Sequence, residues 1–245
     1  MILGIIPARY ASTRFPAKPL ADIKGKSMIQ RCYEQVSKAQ SIDKVVVATD
    51  HQEIYDHVQS FGGNVVMTST DHPSGTDRCF EALQLQEETY QYVINIQGDE
   101  PFIDPSQIDE LAALLQSGET EIATLGIKIK EAEKLFDPNT VKLIKNSEAD
   151  AIYFSRQAIP FLRDFPQDEW LAQHDFYKHL GMYAYRSDVL EKITQLKPST
   201  LEQLEKLEQL RWLENGYKIK VSITDKESIG IDTPEDLEKA IKKLL

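Results

Sequence analysis

The chain has 245 residues, of which 41% are hydrophobic and 27% charged, and its formal net charge is −11. This length buries a substantial core without disulfides or structural metals, and the composition excludes a disordered or fibrous protein. The acidic charge argues against a nucleic-acid polymer as partner, because phosphate backbones are bound by basic surfaces. The two cysteines, Cys32 and Cys79, have no Cys or His partner at metal-ligand spacing, so neither a disulfide framework nor a zinc site is predicted.

The apolar runs are short compared with a bilayer-spanning segment. Runs such as 3–8 and 45–48 contain far fewer than the roughly 20 residues that a transmembrane helix needs. No basic region precedes the first strand-like run and no cleavage site is recognisable, so no export signal is predicted. We therefore expect a cytoplasmic protein that does not bind a membrane.

In the first half of the chain, apolar runs alternate with segments of helical periodicity. This alternation is typical of an α/β fold with a parallel sheet. The predicted strands are 2–7, 44–48, 64–67 and 92–96, and the predicted helices are 27–39, 53–61, 77–88 and 105–116.

Beyond residue 120 the pattern changes to strand-like pieces without regular helices between them, which predicts an antiparallel excursion. These pieces are 122–129, 141–145 and 151–154, and they are followed by a helix over 201–214, a strand over 218–223 and a helix over 234–245. No linker or low-complexity segment divides the chain. We predict one α/β domain over 1–245, with an inserted subdomain at about 130–215.

A cluster of cations follows the first predicted strand. Residues 1–40 contain seven basic and two acidic side chains, and Arg9, Arg14 and Lys18 lie within ten residues of one another beside the hydroxyl of Ser12. Loops at the carboxyl ends of parallel strands hold the ligands of such sheets, and arginine and lysine suit phosphate oxygens. Neither a P-loop nor a dinucleotide fingerprint is present. The spacing favours binding of a small polyanion, with a solvated polar loop as the alternative.

Two carboxylates are candidate ligands for a divalent cation. Asp99 lies in the stretch QGDEP after the fourth predicted strand, and Asp232 lies in GIDTPEDL. Mg²⁺ takes few protein carboxylates and completes its shell with water and substrate oxygens. Asp232 also precedes a Thr-Pro pair that is an ordinary helix start, so the residues themselves leave open whether it is a ligand or a cap.

Other polar side chains have two interpretations each. His72 is either a base or a solvated loop histidine, and Arg156 and His179, beside apolar strands, are either functional or structural polar groups. Ser74 opens a helix whose N-terminus suits an anion. No Ser-His-Asp or Cys-His nucleophile set is recognisable.

Nine stretches together resemble the 3-deoxy-manno-octulosonate cytidylyltransferase family. They occur in the family's order and run through nearly the whole chain. They are IPARYASTR (6–14), KPL (18–20), VATD (47–50), SGTDR (74–78), QGDEP (97–101), YFSR (153–156), HLG (179–181), LEQLR (207–211) and DTPEDL (232–237).

The resemblance implies a fold, a reaction and a place of action. The fold is the Rossmann-like fold of nucleotide-diphospho-sugar transferases, with a mostly parallel central sheet and an inserted antiparallel subdomain. The reaction is transfer of CMP from CTP to the acid sugar 3-deoxy-D-manno-octulosonate (Kdo), which gives CMP-Kdo and pyrophosphate for lipopolysaccharide synthesis. The resemblance also implies Mg²⁺, the cytoplasm and a homodimer, for which the apolar, aromatic-bearing region 150–215 is a candidate interface.

The resemblance also assigns roles to individual residues. The implied nucleotide-binding residues are Ala8, Arg9, Ser12, Arg14, Lys18, Ser74, Arg78 and Gln97, with Lys18, Arg9 and Asp99 as the catalytic set. The implied sugar-binding residues are Gln97, Arg156, His179, Tyr183 and Glu208, and the implied magnesium ligands are Asp99 and Asp232. Two magnesium ions, one on the triphosphate and one bridging the sugar to the α-phosphate, leave positioning and charge stabilisation as the main tasks of the protein.

Two residues depart from the family pattern. Ala17 stands where many members have glycine before the lysine, a change that the backbone tolerates if it needs no positive φ there. Asp77 stands where much of the family has glutamate, which keeps the 8-amino analogue of Kdo as an alternative substrate. A glycosyltransferase that consumes a nucleotide sugar is a weaker alternative, because Gln97-Gly98-Asp99 replaces the usual Asp-x-Asp motif.

Overall fold

The protein is described by a computed structural model that covers residues 1–11, 15–227 and 230–243. The chain forms two compact units, one of Met1–Ala112 with Glu227–Leu245 and the other of Ala113–Lys226. The predicted insertion at about 130–215 falls within the second stretch, and its exact bounds stay a prediction. None of the helices in the described ranges has the length and hydropathy of a membrane-spanning segment.

The first unit is an α/β layer structure around a parallel sheet. Its strands are β1 (Ile2–Ala8), β2 (Asp22–Ile23), β3 (Lys26–Ser27), β4 (Lys44–Thr49), β5 (Val65–Met67) and β6 (Tyr92–Asn95). Its helices are α1 (Met28–Val36), α2 (Gln52–Ser60), α3 (Gly75–Gln84), α4 (Pro105–Gln116), which extends past the end of the unit, and α10 (Pro234–Lys243). Four strands pair in parallel in the order β6-β1-β4-β5, and β2 and β3 form a separate antiparallel pair.

Local sequence explains why these elements form. The β1 segment is an almost continuous apolar run that is buried on both faces, as a central parallel strand requires. In α1, Ser27 caps the helix by accepting a hydrogen bond from the amide of Gln30 at 3.2 Å. The apolar positions of α1 recur at helical spacing, and Met28, Cys32 and Val36 are buried. Buried contacts of β1 and α1 therefore fix the sheet edge at which β1, β4 and β6 end.

The second unit contains the antiparallel strands that the sequence predicts. Its strands are β7 (Ile122–Lys128), β8 (Lys142–Lys145), β9 (Ala151–Ser155), β10 (Tyr177–Arg186) and β11 (Ile219–Thr224). Its helices are α5 (Ala132–Phe136), α6 (Trp170–Gln173), α7 (Ser187–Thr194), α8 (Thr200–Glu205) and α9 (Gln209–Glu214). Strand β11 is parallel to β7, whereas β10 pairs antiparallel with β7 and β8, and β8 pairs antiparallel with β9. The predicted combination of a mostly parallel α/β sheet with antiparallel strands is confirmed.

Two details of the second unit differ from the sequence prediction. The single helix expected over 201–214 is wrong, because Lys206 adopts a left-handed conformation with φ of 55° that ends α8 before α9 begins. Short helices also occur between the strands, starting with α5. The LEQLEKLEQL stretch keeps its apolar period through the break, so periodicity does not reveal it.

Candidate functional site

A cleft of about 390 Å³ opens where strands of the first unit end. It is formed by the end of β1, the turn of 3₁₀ helix over Lys18–Leu20, the start of α3 and the loop after β6. The lining residues are Pro7, Ala8, Arg9, Ala11, Lys18, Pro19, Gly75, Gln97, Gly98 and Asp99. Four of the residues predicted to bind the nucleotide, namely Ala8, Arg9, Lys18 and Gln97, therefore line one cleft. Ser12 and Arg14 lie outside the described residues.

Lys18 contacts both predicted magnesium ligands. Its Nζ atom is 2.8 Å from Oδ2 of Asp99 and 3.3 Å from Oδ1 of Asp232. The amide of Ile231 donates to the main-chain oxygen of Asp99 at 2.9 Å, which fixes the segment carrying Asp232 beside the end of β6. Residues 133 positions apart in the sequence thus present two carboxylates to one cation.

The donor set at this point suits Mg²⁺. In the described ranges, no group of three or more His, Cys, Asp and Glu side chains gathers as a metal cluster. Mg²⁺ does not need such a cluster, because it is bound through one or two carboxylates together with water and phosphate oxygens. Asp99 and Asp232 supply two carboxylates, and both already contact the ammonium of Lys18.

The backbone before Lys18 is strained. Ala17 has φ of 54°, in the left-handed region, so the condition under which alanine replaces glycine without cost is not met. The Ala17 amide donates to the oxygen of Tyr10 at 3.1 Å, and its own oxygen accepts from Leu20 at 2.9 Å. These bonds hold Ala17 in a conformation that sets the start of the turn carrying Lys18.

Gly98 lets the loop after β6 approach β1 closely. A Cβ atom at this position would lie 2.9 Å from the main-chain oxygen of Pro7, which is closer than side chains tolerate. The buried thiol of Cys32 donates to the oxygen of Gln97 at 3.4 Å. The Gly-Asp pair therefore positions Asp99 against the floor of the cleft.

Arg9 is held by the loop that contains His72, a contact that the sequence analysis did not predict. Its Nη2 atom donates to the main-chain oxygen of His72 at 2.8 Å, and the His72 ring contacts the carboxylate of Glu81. Burial raises the pKa of Glu81, but hydrogen bonds from His72 and from the Ser69 amide lower it more, so the carboxylate stays ionised. The His72 side chain is therefore paired with Glu81 and is not a fully solvated loop histidine, and its main chain holds Arg9.

Ser74 and Arg78 belong to the first turn of α3. Ser74 caps the helix by accepting from the Asp77 amide at 3.2 Å, and its hydroxyl donates to the Asp77 carboxylate at 2.5 Å. The Arg78 side chain is fully buried and donates to Asp50 at 2.6 Å and to Thr68 at 2.5 Å. Burial lowers the pKa of Arg78, and the Asp50 carboxylate counteracts this. Arg78 thereby fixes α3 against the residues that follow β4 and β5.

A stacked aromatic pair after β1 was not predicted. The rings of Tyr10 and His51 lie 3.7 Å apart between centroids at 16°. His51 also caps α2 through a hydrogen bond from the Glu53 amide to its Nδ1 atom at 3.3 Å. The VATD stretch marks this region in the sequence, but no local pattern indicates which ring stacks on which.

Arg156, in the second unit, is fixed by main-chain oxygens. Its Nε atom donates to the oxygen of Glu205 at 2.7 Å, and Nη1 donates to that of Pro138 at 3.0 Å. The Arg156 amide binds the Glu205 carboxylate at 2.9 Å, which also accepts from Ser155 at 2.7 Å. The break between α8 and α9 leaves the Glu205 and Lys206 oxygens available for these bonds.

His179 and Tyr183 flank an irregularity in β10. The register with β7 shifts between Leu180 and Tyr183, and the Thr124 hydroxyl bonds the segment at His179 Nε2 (3.0 Å) and Met182 O (2.8 Å). Such bulges re-aim side chains and are frequent beside functional sites. The His179 and Tyr183 rings lie 5.2 Å apart, so the shift brings two predicted sugar-binding residues together.

The protonation states of this pair are set by burial. Burial, followed by the charge of Lys178, lowers the pKa of His179 to about 3, so its imidazole is neutral at physiological pH. Burial, followed by Tyr185 and Glu208, raises the pKa of Tyr183 well above its ordinary value. The Tyr183 hydroxyl is a protonated donor, and it makes no hydrogen bond within the described part of the chain. A buried hydroxyl in that state is suited to bind a ligand oxygen.

Comparison with known proteins gives matches along nearly the whole chain. Residues 3–221 match the family described as cytidylyltransferase. A 3-deoxy-manno-octulosonate cytidylyltransferase of Parabacteroides distasonis is 57% identical over 243 residues, which are 98% of this chain and 96% of that protein. One of Cytophaga hutchinsonii is 58% identical over 237 residues, covering 96% and 94%.

Solved structures also match nearly the whole chain. A CMP:2-keto-3-deoxy-manno-octonic acid synthetase in complex with CTP superposes with a TM-score of 0.92 at 41% identity, covering 99% of this chain and 98% of that one. A 4-diphosphocytidyl-2C-methyl-D-erythritol synthase of Anaerococcus prevotii shares the fold, with a TM-score of 0.64 at 18% identity, covering 99% and 97%.

Proposed function

The chain belongs to the cytidylyltransferase family, and from this premise we propose that it transfers CMP from CTP to Kdo. The observation that carries the proposal is the 57% identity, over nearly the full length, with a relative of that activity. In the reaction, the anomeric hydroxyl of the sugar attacks the α-phosphorus of CTP. A new phosphorus–oxygen bond forms, the bond to the β-phosphate breaks, pyrophosphate leaves, and the hydroxyl proton passes to solvent.

The cleft of the first unit is suited to the triphosphate. Arg9 and Lys18 line it and carry positive charge, and the start of α3 contributes main-chain amides at Gly75. Lys18 is proposed to neutralise charge that develops at the α-phosphate, which is the interaction that accelerates such reactions. Ser12 and Arg14 are proposed to hold the remaining phosphates, and Ser74 and Arg78 to shape the adjoining helix start.

Asp99 and Asp232 are proposed to hold Mg²⁺ in place of their contact with Lys18. When bound, the metal would neutralise phosphate charge and lower the pKa of the attacking hydroxyl. Release of Lys18 from the two carboxylates would then leave its ammonium for the phosphates.

The second unit contributes side chains of the type that an acid sugar requires. The Arg156 guanidinium is proposed to bind the sugar carboxylate. The Tyr183 hydroxyl and the neutral His179 ring are proposed to bind sugar hydroxyls, together with Glu208. Gln97 is proposed as a further sugar-binding residue. A neutral imidazole can hydrogen-bond a sugar hydroxyl but has no charge to offset a carboxylate. The charge of the sugar carboxylate is therefore left to Arg156.

Kdo is favoured over its 8-amino analogue. The relatives at 57% and 58% identity are named for Kdo itself. The Asp77 carboxylate, which prompted the alternative, accepts a hydrogen bond from Ser74 at the start of α3. This local contact accounts for an aspartate at position 77 without a different sugar. These relatives are named as cytidylyltransferases, so nothing supports the alternative that the protein is a glycosyltransferase.

Pyrophosphate release tests the reaction. The protein is incubated with CTP and Mg²⁺ in the presence of Kdo, of the 8-amino analogue, or of no sugar. We expect release that depends on Kdo and is much slower with the analogue. Absence of release with Kdo, from folded protein that binds CTP, would contradict the proposal, and faster release with the analogue would reassign the sugar.

We also propose a cytoplasmic homodimer that associates through region 150–215. The cytoplasm holds the CTP that the reaction consumes. Large apolar side chains in this region are exposed, with Phe161 at 72% and Leu204 at 75% of their full area, and Ile152 and Phe165 are also exposed. Apolar exposure of this kind marks interaction surfaces. Sedimentation equilibrium should give twice the chain mass of 27.9 kDa, and Phe161→Asp should give the monomer.

A further inference from the structure

A buried lysine lies behind Arg156. Lys142, on β8, has no exposed area, and its ammonium donates to three main-chain oxygens. The distances are 2.9 Å to Asp137, 2.6 Å to Thr140 and 2.5 Å to Arg156. These bonds use all three donors of the ammonium. The charged ammonium is tolerated away from solvent because each of its three N–H groups has a hydrogen-bond acceptor.

The same lysine organises the loop that grips the guanidinium. The Asp137 carboxylate accepts from the Asn139 amide at 2.9 Å and from the Thr140 hydroxyl at 2.9 Å, which closes the loop over 137–140. The ammonium of Lys142 binds the main-chain oxygens at the two ends of this loop, those of Asp137 and Thr140. The oxygen of Pro138, within the loop, accepts from Arg156 Nη1. Lys142 thus contacts Arg156 directly and through the loop.

The remaining contacts leave one edge of the guanidinium for a ligand. Of the five N–H bonds of Arg156, one on Nε binds Glu205, one on Nη1 binds Pro138 and one on Nη2 binds Lys206 at 3.4 Å. Among the residues that the structure describes, no partner is found for the one remaining N–H bond on each terminal nitrogen. That pair matches the two oxygens of a carboxylate.

We propose that Lys142 is a positioning residue that orients Arg156 for the carboxylate of the acid sugar. This inference rests on the proposed function. The ammonium fixes the main chain of Arg156 and the Pro138 oxygen, so the guanidinium has one orientation before the sugar arrives. Burial lowers the pKa of the Lys142 ammonium, the nearby Asp137 and Glu205 carboxylates raise it, and the charge of Arg156 lowers it further.

The test compares Lys142→Met with Lys145→Met, a matched lysine on the same strand. Pyrophosphate release gives kcat and the KM for each substrate. For Lys142→Met we expect the KM for Kdo to rise about tenfold and the KM for CTP to stay within twofold, with Lys145→Met like the wild type. Lys142→Gln, which retains two donors, should lie between. In an Arg156→Ala background, Lys142→Met should add less than twofold to the KM for Kdo.

Several outcomes would overturn the inference. A rise in both KM values, a fall in kcat alone, or an undiminished effect in the Arg156→Ala background would mean that Lys142 only stabilises the fold. Insolubility of both Lys142 variants, with Lys145→Met soluble, would mean the same. A wild type that does not turn over Kdo would instead contradict the proposed function, and the inference with it.

Discussion

The ammonium of Lys18 and the carboxylates of Asp99 and Asp232 form the chemical centre of the first unit. In this arrangement the lysine neutralises two acidic groups that would otherwise repel each other at short range. A divalent cation compensates the same two charges more fully. Binding of Mg²⁺ as proposed would therefore replace Lys18 as the partner of these two carboxylates and would not require a new charged site.

Asp99→Asn is expected to reduce kcat by about 100-fold, because one of the two carboxylates proposed to bind Mg²⁺ is replaced by a neutral group. The melting temperature should change little, since Lys18 retains Asp232. Pyrophosphate release at saturating Mg²⁺ provides the measurement, with Asp56→Asn, an exposed carboxylate on α2, as the control. Turnover equal to that of the control would remove Asp99 from the metal site.

Ala17→Gly is expected to stabilise the protein by about 0.5–1 kcal/mol. Glycine relieves the left-handed strain at φ of 54°, and the entropy that it adds to the unfolded chain offsets part of the gain. Urea unfolding gives the difference. Ala21→Gly is the matched control, because Ala21 has an ordinary φ of −58° and should only lose stability. A loss at both positions would show that the strain at Ala17 is negligible.

At the scale of elements, helix starts are placed by short polar motifs and can be predicted from sequence. The predicted strands of the first unit and α4 agree with the structure to within a residue or two, because buried runs and caps are local signals. The break at Lys206 is not local, since Arg156 binds the oxygens that the break exposes. For the same reason, the contacts of Arg9 with His72 and of Tyr10 with His51 were not predictable; they depend on which loops the sheet brings together.

Ser74→Ala tests whether the start of α3 has a role beyond capping. Loss of the cap should cost about 1 kcal/mol of folding free energy. Ser27→Ala removes an equivalent cap from α1, with the same 3.2 Å bond, and should cost a similar amount. We expect only Ser74→Ala to raise the KM for CTP, by about threefold to tenfold. Equal KM values in the two variants would restrict Ser74 to a structural role.

At the scale of the whole molecule, the family resemblance indicated the reaction, whereas composition and charge limited only the class of protein. The basic loop, Asp99 and the α/β alternation predict a polyanion site on a parallel sheet without any relative. The sugar-binding set was different: Tyr183 and Glu208 have no local signal that separates them from core or surface residues. Their proposed roles followed from resemblance. One of them is supported by the Tyr183 hydroxyl, which is buried and has no hydrogen-bond partner among the described residues.

The stability of the folded chain should fall in mild acid because of His179. An ordinary histidine binds a proton near pH 6.5, whereas burial lowers the pKa of His179 to about 3. Between these values the unfolded chain binds the proton and the folded chain does not, so stability decreases as pH falls. The loss should be about 2 kcal/mol at pH 5. Urea unfolding at pH 7 and pH 5 should show it in the wild type.

His179→Gln should remove this part of the pH dependence, and His174→Gln, which changes an exposed histidine of the same unit, should retain it. A His179→Gln protein that loses as much stability as the wild type would mean that the histidine is protonated in the folded state. That result would also change the proposed sugar site, because a charged His179 beside Tyr183 would compete with Arg156 for the sugar carboxylate. A neutral ring instead leaves the carboxylate to Arg156, so the KM for Kdo should stay constant from pH 6 to pH 8.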